Sequence, residues 1–426
     1  MTQENQQIQA YCIITTEEIT QQGVERMILV ATRPVREFFY GNDVLNPPNG
    51  NLVRPNRCRG LCIFPGGRGE NDTETGSLQT AIDEFYEETG INIAPLINGN
   101  WEAQRFVEGQ NVYWGVHITL HPEIFWHLVH EVALNLEETA MVRAEIQADQ
   151  GQYTTMEHYR TRYPGTPRDN ELAEIGVYNI DNNWDTLINN FQQSNWQSWY
   201  LNIIHSFFLH EGKQITGEES RRSISNNRNN MLALWFILDS GDGRFMTARA
   251  KSTSFWYEKE IEQYGNITSY SHGAFELPHA DISTSAEIEK IDLKKYAKEA
   301  FENMMGFFTC DILDIPKEDI YNPSAQNAFV RIKARTAKDF EDFYYHIVKQ
   351  ITLFFDMDTK IFSGEIQTYQ QLLKACPSGV PSTDWVLDVI CVHTKGEDYK
   401  DFINTILDKR QDLKDAVMYF YGDGNS

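Results

Sequence analysis

Phe64-Pro65-Gly66-Gly67, followed by Glu84-Phe85-Tyr86-Glu87-Glu88-Thr89-Gly90-Ile91, decides how this chain is read. The first stretch reads as a loop and the second as the end of a helix stopped by glycine. Glu84 and Glu87 are spaced i, i+3, and Glu84 and Glu88 i, i+4, so the three carboxylates share one helix face. Like charges at that spacing destabilise a helix unless a cation sits among them. Hard oxygen ligands favour Mg²⁺ or Mn²⁺, and Mg²⁺ commonly brings phosphates with it. The bland alternative is a solvated acidic helix face, but the glycine-rich entry and the Thr89-Gly90 stop argue against it.

At these residues the chain resembles the Nudix hydrolases. The family motif closes on Arg-Glu-apolar-X-Glu-Glu-X-Gly-apolar, and Glu84 to Ile91 matches that half. The Phe-Pro-Gly-Gly entry matches as well. Three features depart from the family. Asp83 stands where the family has Arg. The stretch from Gly67 to Glu84 is longer than the motif allows. The first motif Glu is not fixed, because Thr75 holds its counted position and Glu74 lies next to it.

The resemblance implies an α/β/α sandwich around a mixed sheet. It also implies Mg²⁺-dependent (or Mn²⁺-dependent) hydrolysis of the pyrophosphate of a nucleoside diphosphate linked to another moiety. Carried over by position, Glu84, Glu87 and Glu88 are the metal ligands and Gly67 supplies a loop carbonyl. Glu84 or Glu88 also orients or activates water. Glu171 or Glu174 is the remote carboxylate that completes the site. Substrate-binding residues are not assigned. Where Asp83 replaces Arg, either Arg57, Arg59 or Arg68 takes over its role or metal binding is weakened. The second reading is therefore a catalytically impaired Nudix-fold module that binds a nucleotide or a protein.

Composition sets the outer bounds. A chain of 426 residues exceeds one ordinary core, so two or more domains are expected. The formal net charge of −24 repels nucleic-acid backbones and anionic membranes, which speaks against a nucleic-acid partner; the nucleotide-type small-molecule substrate is what the resemblance implies. The six cysteines form no CxxC pair, and Cys58 and Cys62 have no second pair to complete a zinc site. The polar N-terminus lacks a signal-peptide core, and the apolar run Met231–Leu238 is too short to span a bilayer. The reading is a soluble cytoplasmic protein, with room for specialised export without a signal peptide.

Along the chain, strands are expected over 9–16, 26–32, 60–64 and 111–120, with the carboxylate helix over 78–89. Residues 122–168 read as an insertion, helical over 123–135 and then polar around Tyr153, Tyr159 and Tyr163. It is the first candidate for substrate selection. A helix over 184–209 closes a Nudix domain of residues 1–215. Residues 216–230 are polar and read as a linker. An α+β domain is expected over 231–426, starting with a hairpin across Asp239–Gly243. Within it, 328–422 suggests a ferredoxin-like βαββαβ unit similar in pattern to the Lrp/AsnC ligand domain, with a last strand at 416–421 and homodimer pairing through its sheet. His127 and His130 read more readily as helix-surface or core residues than as a metal pair, and His205 and His210 as packing residues, while the aromatics Phe38, Phe39, Tyr40, Tyr113 and Trp114 suit base stacking and a core role equally. Limited trypsin digestion should cut first at Arg221 or Arg222 and leave two stable fragments. A first cut inside 122–168, with none near 222, would move the boundary.

Overall fold

The computed structural model describes residues 7–20, 23–54, 57–181, 184, 187–188, 191, 198–208, 231–251, 253–267, 275–283, 291–314, 319–324, 327–407 and 410–423. The proposed linker 216–230, Leu209 and His210 lie outside these residues. The chain divides into two compact units, 1–215 and 216–426.

The first unit is organised around β1 (Gln7–Thr20). Ala10 to Thr16 are all buried, an unbroken run that suits a strand covered on both faces. The N-terminal half of β1 pairs in parallel with a strand over Asn111–Leu120, and its C-terminal half pairs antiparallel with β2 (Gly23–Thr32). Next come two short ribbon pairs, β3 (Arg36–Glu37) with β6 (Asn51–Leu52) and β4 (Phe39–Tyr40) with β5 (Asp43–Val44). Two more short strands, β7 (Cys62–Ile63) and β8 (Gly66–Gly69), pair with β2 and β1. The motif glycines therefore sit in a strand, not a free loop. Then follow α1 (Glu74–Thr89), β9 (Trp101–Glu108), β10 (Asn111–Leu120), α2 (Pro122–Ala148), α3 (Glu157–Arg162), β11 (Glu174–Asn179) and α4 (Ser198–Phe208). The path of the mixed sheet is β11-β2-β1-β10-β9.

Neighbouring residues of β10 show that helices cover both faces. Trp114 donates through Nε1 to Asp72, at the entry to α1, at 2.9 Å. Gly115 points the other way, and a Cβ there would lie 3.0 Å from Ile203 of α4. The α/β/α layering agrees with the expectation. Strand β9 went unread because it is an exposed edge with weak alternation.

α1 begins earlier than read, because the Thr73 side chain caps it by accepting from the Gly76 amide at 3.1 Å. Gly90 ends it in the left-handed conformation, with its amide on the Tyr86 carbonyl at 2.8 Å. α2 runs on to Ala148 rather than stopping at Asn135. Its second half carries Val142 and Ile146, which pack with Phe38, Phe39, Val44, Met156 and Tyr159 in a core of their own. The insertion is thus a built structure bracing the segment after β2.

In the second unit, β12 (Met231–Asp239) turns into β13 (Arg244–Ala250) as expected. The Asp239 carboxylate accepts from the Gly241 amide at 2.6 Å, so these aspartates shape a turn. The two strands then part. β12 pairs in parallel with a strand over Asn327–Ala334, and β13 antiparallel with one over Val386–His393. The strand read at 416–421 is helical: Gln411–Tyr421 is an α-helix burying Leu413, Ala416 and Val417 at i, i+3 and i+4. The ferredoxin-like pattern loses its last strand. Lys251 lies buried between Asp358 and Asp384, at 2.7 and 2.5 Å.

Removing that lysine would strand two buried carboxylates. Lys251→Met should therefore lower stability by about 3–5 kcal/mol, read as an earlier urea transition of the intact chain. A variant as stable as the parent would show that the buried lysine between Asp358 and Asp384 adds nothing to stability.

Candidate functional site

The buried stripe of α1 is Ser77, Ala81, Phe85 and Glu88, so helical spacing carries a carboxylate into the helix–sheet interface. Glu88 is 2% exposed. One of its oxygens accepts from the Gly66 amide at 3.3 Å. The other, Oε1, is buried with no hydrogen-bond partner among the described residues. Burial pushes the Glu88 carboxyl well above the usual range. Glu171 and Glu84 push it further, while Arg33 and the Gly66 amide oppose them.

One turn back, Glu84 lies against Gly67. A Cβ at Gly67 would stand 2.5 Å from the Glu84 carboxylate, so only glycine leaves that carboxylate its place. At Gly66 an added Cβ would stand 2.3 Å from the Ala10 carbonyl oxygen of β1, so its smallness serves the sheet. Glu84 is pushed up to about 7, chiefly by burial and then by Glu171, Glu87, Asp169 and Asp83. Glu87 lies at the rim and pairs with Arg168.

Of the two remote candidates, Glu171 bears on both Glu84 and Glu88. Glu174 is instead a buried residue of β11, in register with Thr32 of β2. Sequence reasoning missed two residues. Asp169 is buried, accepts from the Gly41 amide at 2.8 Å, and is raised by burial and by Glu87 and Glu171, against Gly41 and Arg168. Arg33, just past β2, is 8% exposed and reaches Glu171 at 2.6 Å and Glu37 at 2.8 Å. Burial works against the Arg33 charge, but Glu171, Glu37 and Glu88 more than restore it. The cation acting on the buried Glu88 is Arg33, and the one on Glu87 at the rim is Arg168. Arg59 is buried on the Val53 carbonyl, and Arg57 and Arg68 are exposed. Asp83 is exposed on the far side of the helix, accepting from Gln79 at 2.9 Å. A usable signal for Arg33 was a lone arginine ending the apolar run Met27–Thr32.

The donor set suits a hard divalent ion: an orphaned buried carboxylate oxygen, a second carboxyl raised to about 7 by burial and by its like neighbours, and a glycine cradle. As the side chains stand, no group of three His, Cys, Asp or Glu among the described residues is gathered to hold a metal. Glu87 is paired with Arg168 and Glu171 with Arg33. His127 pairs with Glu131 on the surface at 3.3 Å, and Phe38, Phe39, Tyr113 and Trp114 are buried, whereas Tyr40 and His205 are exposed rather than buried.

No family model matches the sequence, and no curated protein matches it. Among solved structures the chain is similar to a mutT/nudix family protein from Listeria innocua, at 15% identity over 48% of this chain and 98% of that one, with a TM-score of 0.22. An Ap4A hydrolase binary complex from C. elegans matches at 10% identity over 47% and 96%, with a TM-score of 0.22. The NUDIX domain of Shewanella oneidensis NrtR, complexed with ADP ribose, matches at 10% over 46% and 90%, with a TM-score of 0.20. Likeness at this level decides nothing about activity or substrate, and no helix among the described residues is long and apolar enough to cross a membrane.

The raised Glu84 carboxyl has a thermodynamic sign. In the fold it titrates at about 7 rather than at its ordinary 4.5. The folded state therefore binds its proton more tightly than the unfolded chain. Stability contributed by the protonated form is full below the ordinary value and is lost as pH rises through about 7. Without metal, Glu84→Gln should raise the melting temperature at pH 8 and leave it nearly unchanged near pH 4. An equal shift at both would remove ionisation as the cause.

Proposed function

We propose that the first unit is a divalent-metal-dependent hydrolase of Nudix type, cleaving the pyrophosphate of a nucleoside diphosphate linked to a second group. The observation that carries this is the buried Glu88 carboxylate, with one oxygen on the Gly66 amide and the other without a partner, beside Glu84 on Gly67. An interior carboxylate left half-satisfied is costly unless something else completes it.

Glu84, Glu87, Glu88 and the Gly67 carbonyl would hold Mg²⁺ or Mn²⁺, with Glu171 as the remote carboxylate. The ion would neutralise phosphate charge in the reaction. The chain's own groups divide the remaining work. Glu88 is fixed by burial and by the Gly66 amide, so it anchors. Glu84 is half-buried with a proton affinity near neutrality, which suits it to take a proton from water. Arg33 keeps Glu171 in place and offsets the charge at Glu88.

The second reading, a binding module without turnover, is favoured by the arginine pairs on Glu87 and Glu171 and by the lengthened approach to α1. A panel of nucleoside diphosphate derivatives, assayed for phosphate or monophosphate release with Mg²⁺ and Mn²⁺, separates the two. On the best substrate, Glu84→Gln and Glu88→Gln should each lower turnover by about 10²-fold or more while the far-ultraviolet spectrum stays unchanged. Wild-type rates in both variants would place the chemistry elsewhere, and binding without release across the panel would favour the module.

A further inference from the structure

Arg168 is the last residue of the insertion and stands at the rim of the carboxylate group, its side chain 55% exposed, on Glu87. Its backbone is firmly placed. The Asp169 amide donates to the Glu87 carbonyl at 3.1 Å, and the Asn170 amide to the Phe39 carbonyl at 3.3 Å. The Asp169 carboxylate accepts from Gly41 at 2.8 Å, and the Asn170 side chain accepts from Phe38 at 3.0 Å. Arg160 ties the two segments together, donating to Gly41 and Arg168 carbonyls at 2.8 and 2.9 Å. A long exposed side chain on a fixed backbone can change partners without moving the chain. Arg33, the other arginine described at this cluster, is buried between Glu37 and Glu171 and lacks that freedom.

A chain of net charge −24 must still admit a polyanion beside Glu84, whose carboxyl already feels Glu171, Glu87 and Asp169. An exposed cation at this cluster meets that need. The same cation also competes with any metal for Glu87. Resting on the hydrolase reading, we propose that Arg168 is an exchangeable counter-ion: it neutralises Glu87 in the metal-free protein and turns to a phosphate of the incoming nucleotide once a divalent ion takes Glu87. Metal loading and phosphate capture are then coupled through one side chain. Tyr40, exposed, lies close enough to Asp169, Glu171, Glu87 and Arg168 to feel their charges.

The coupling predicts opposite effects in one variant. Isothermal titration of the intact chain with Mn²⁺ alone should show Arg168→Ala binding the ion more tightly, by up to about five-fold, the scale of an exposed ion pair. Titration with inorganic pyrophosphate at saturating Mn²⁺ should show the same variant binding about tenfold more weakly, the scale of a lost charge-assisted hydrogen bond. Arg168→Lys should recover part of the pyrophosphate affinity, and thermal melting checks that both variants fold. A merely structural arginine would weaken both affinities together. Unchanged or weaker Mn²⁺ binding in Arg168→Ala, or unchanged pyrophosphate binding, overturns the exchange while leaving the hydrolase reading intact. A wild-type chain that binds no Mn²⁺ overturns both.

Discussion

The burial of Glu88 is the constraint around which the first unit is arranged. A carboxylate in the last turn of a helix faces the negative end of the helix dipole, and inside a helix–sheet interface it also loses its water. The fold answers with parts drawn from separate places. β8 offers the Gly66 amide, the end of β2 offers Arg33, and the segment before β11 offers Glu171 to hold that arginine in turn. β1 makes this possible, because it pairs with both β8 and β2 and so sets the heights of Gly66 and Arg33. The glycines at 66 and 67 then do different jobs one residue apart. The first lets the short strand close on β1, and the second leaves room for Glu84.

The carboxylate face of α1 was legible because helix spacing is local, and so was its glycine stop. The run Asn111–Leu120 was legible too, being rich in β-branched and aromatic residues. What escaped depends on contacts far apart in sequence. Arg33 and Asp169 reach Glu171, Glu88 or Glu87 only after the sheet has formed, and no spacing rule links them to α1. The choice of Glu171 over Glu174 was equally hidden, since the residues differ only in whether β11 has begun. Asp83 drew attention as a reversed charge inside the motif. It faces solvent, so the reversal acts on Glu84 only as the last of several influences.

The second unit shows the opposite failure. Ala416 to Tyr421 is apolar and aromatic enough to read as a strand, but its buried residues recur at helical intervals from Leu413. A short run cannot choose between the two periods, and packing decided. The hairpin at Asp239–Gly243 was read correctly from turn chemistry alone. That its two strands then separate to pair with different partners is a property of the whole sheet.

The small core shared by Val142, Ile146, Met156 and Tyr159 with Phe38, Phe39 and Val44 bears on how this architecture can change over time. An extension that merely hung from the scaffold could be shortened, lengthened or exchanged among relatives as a cassette. Here its apolar residues are half of an interface whose other half belongs to the scaffold. Exchanging one side without the other would leave phenylalanines 38 and 39 facing water. Variation in this region should therefore travel as matched changes in two distant stretches of the gene, around residues 38–44 and 142–159.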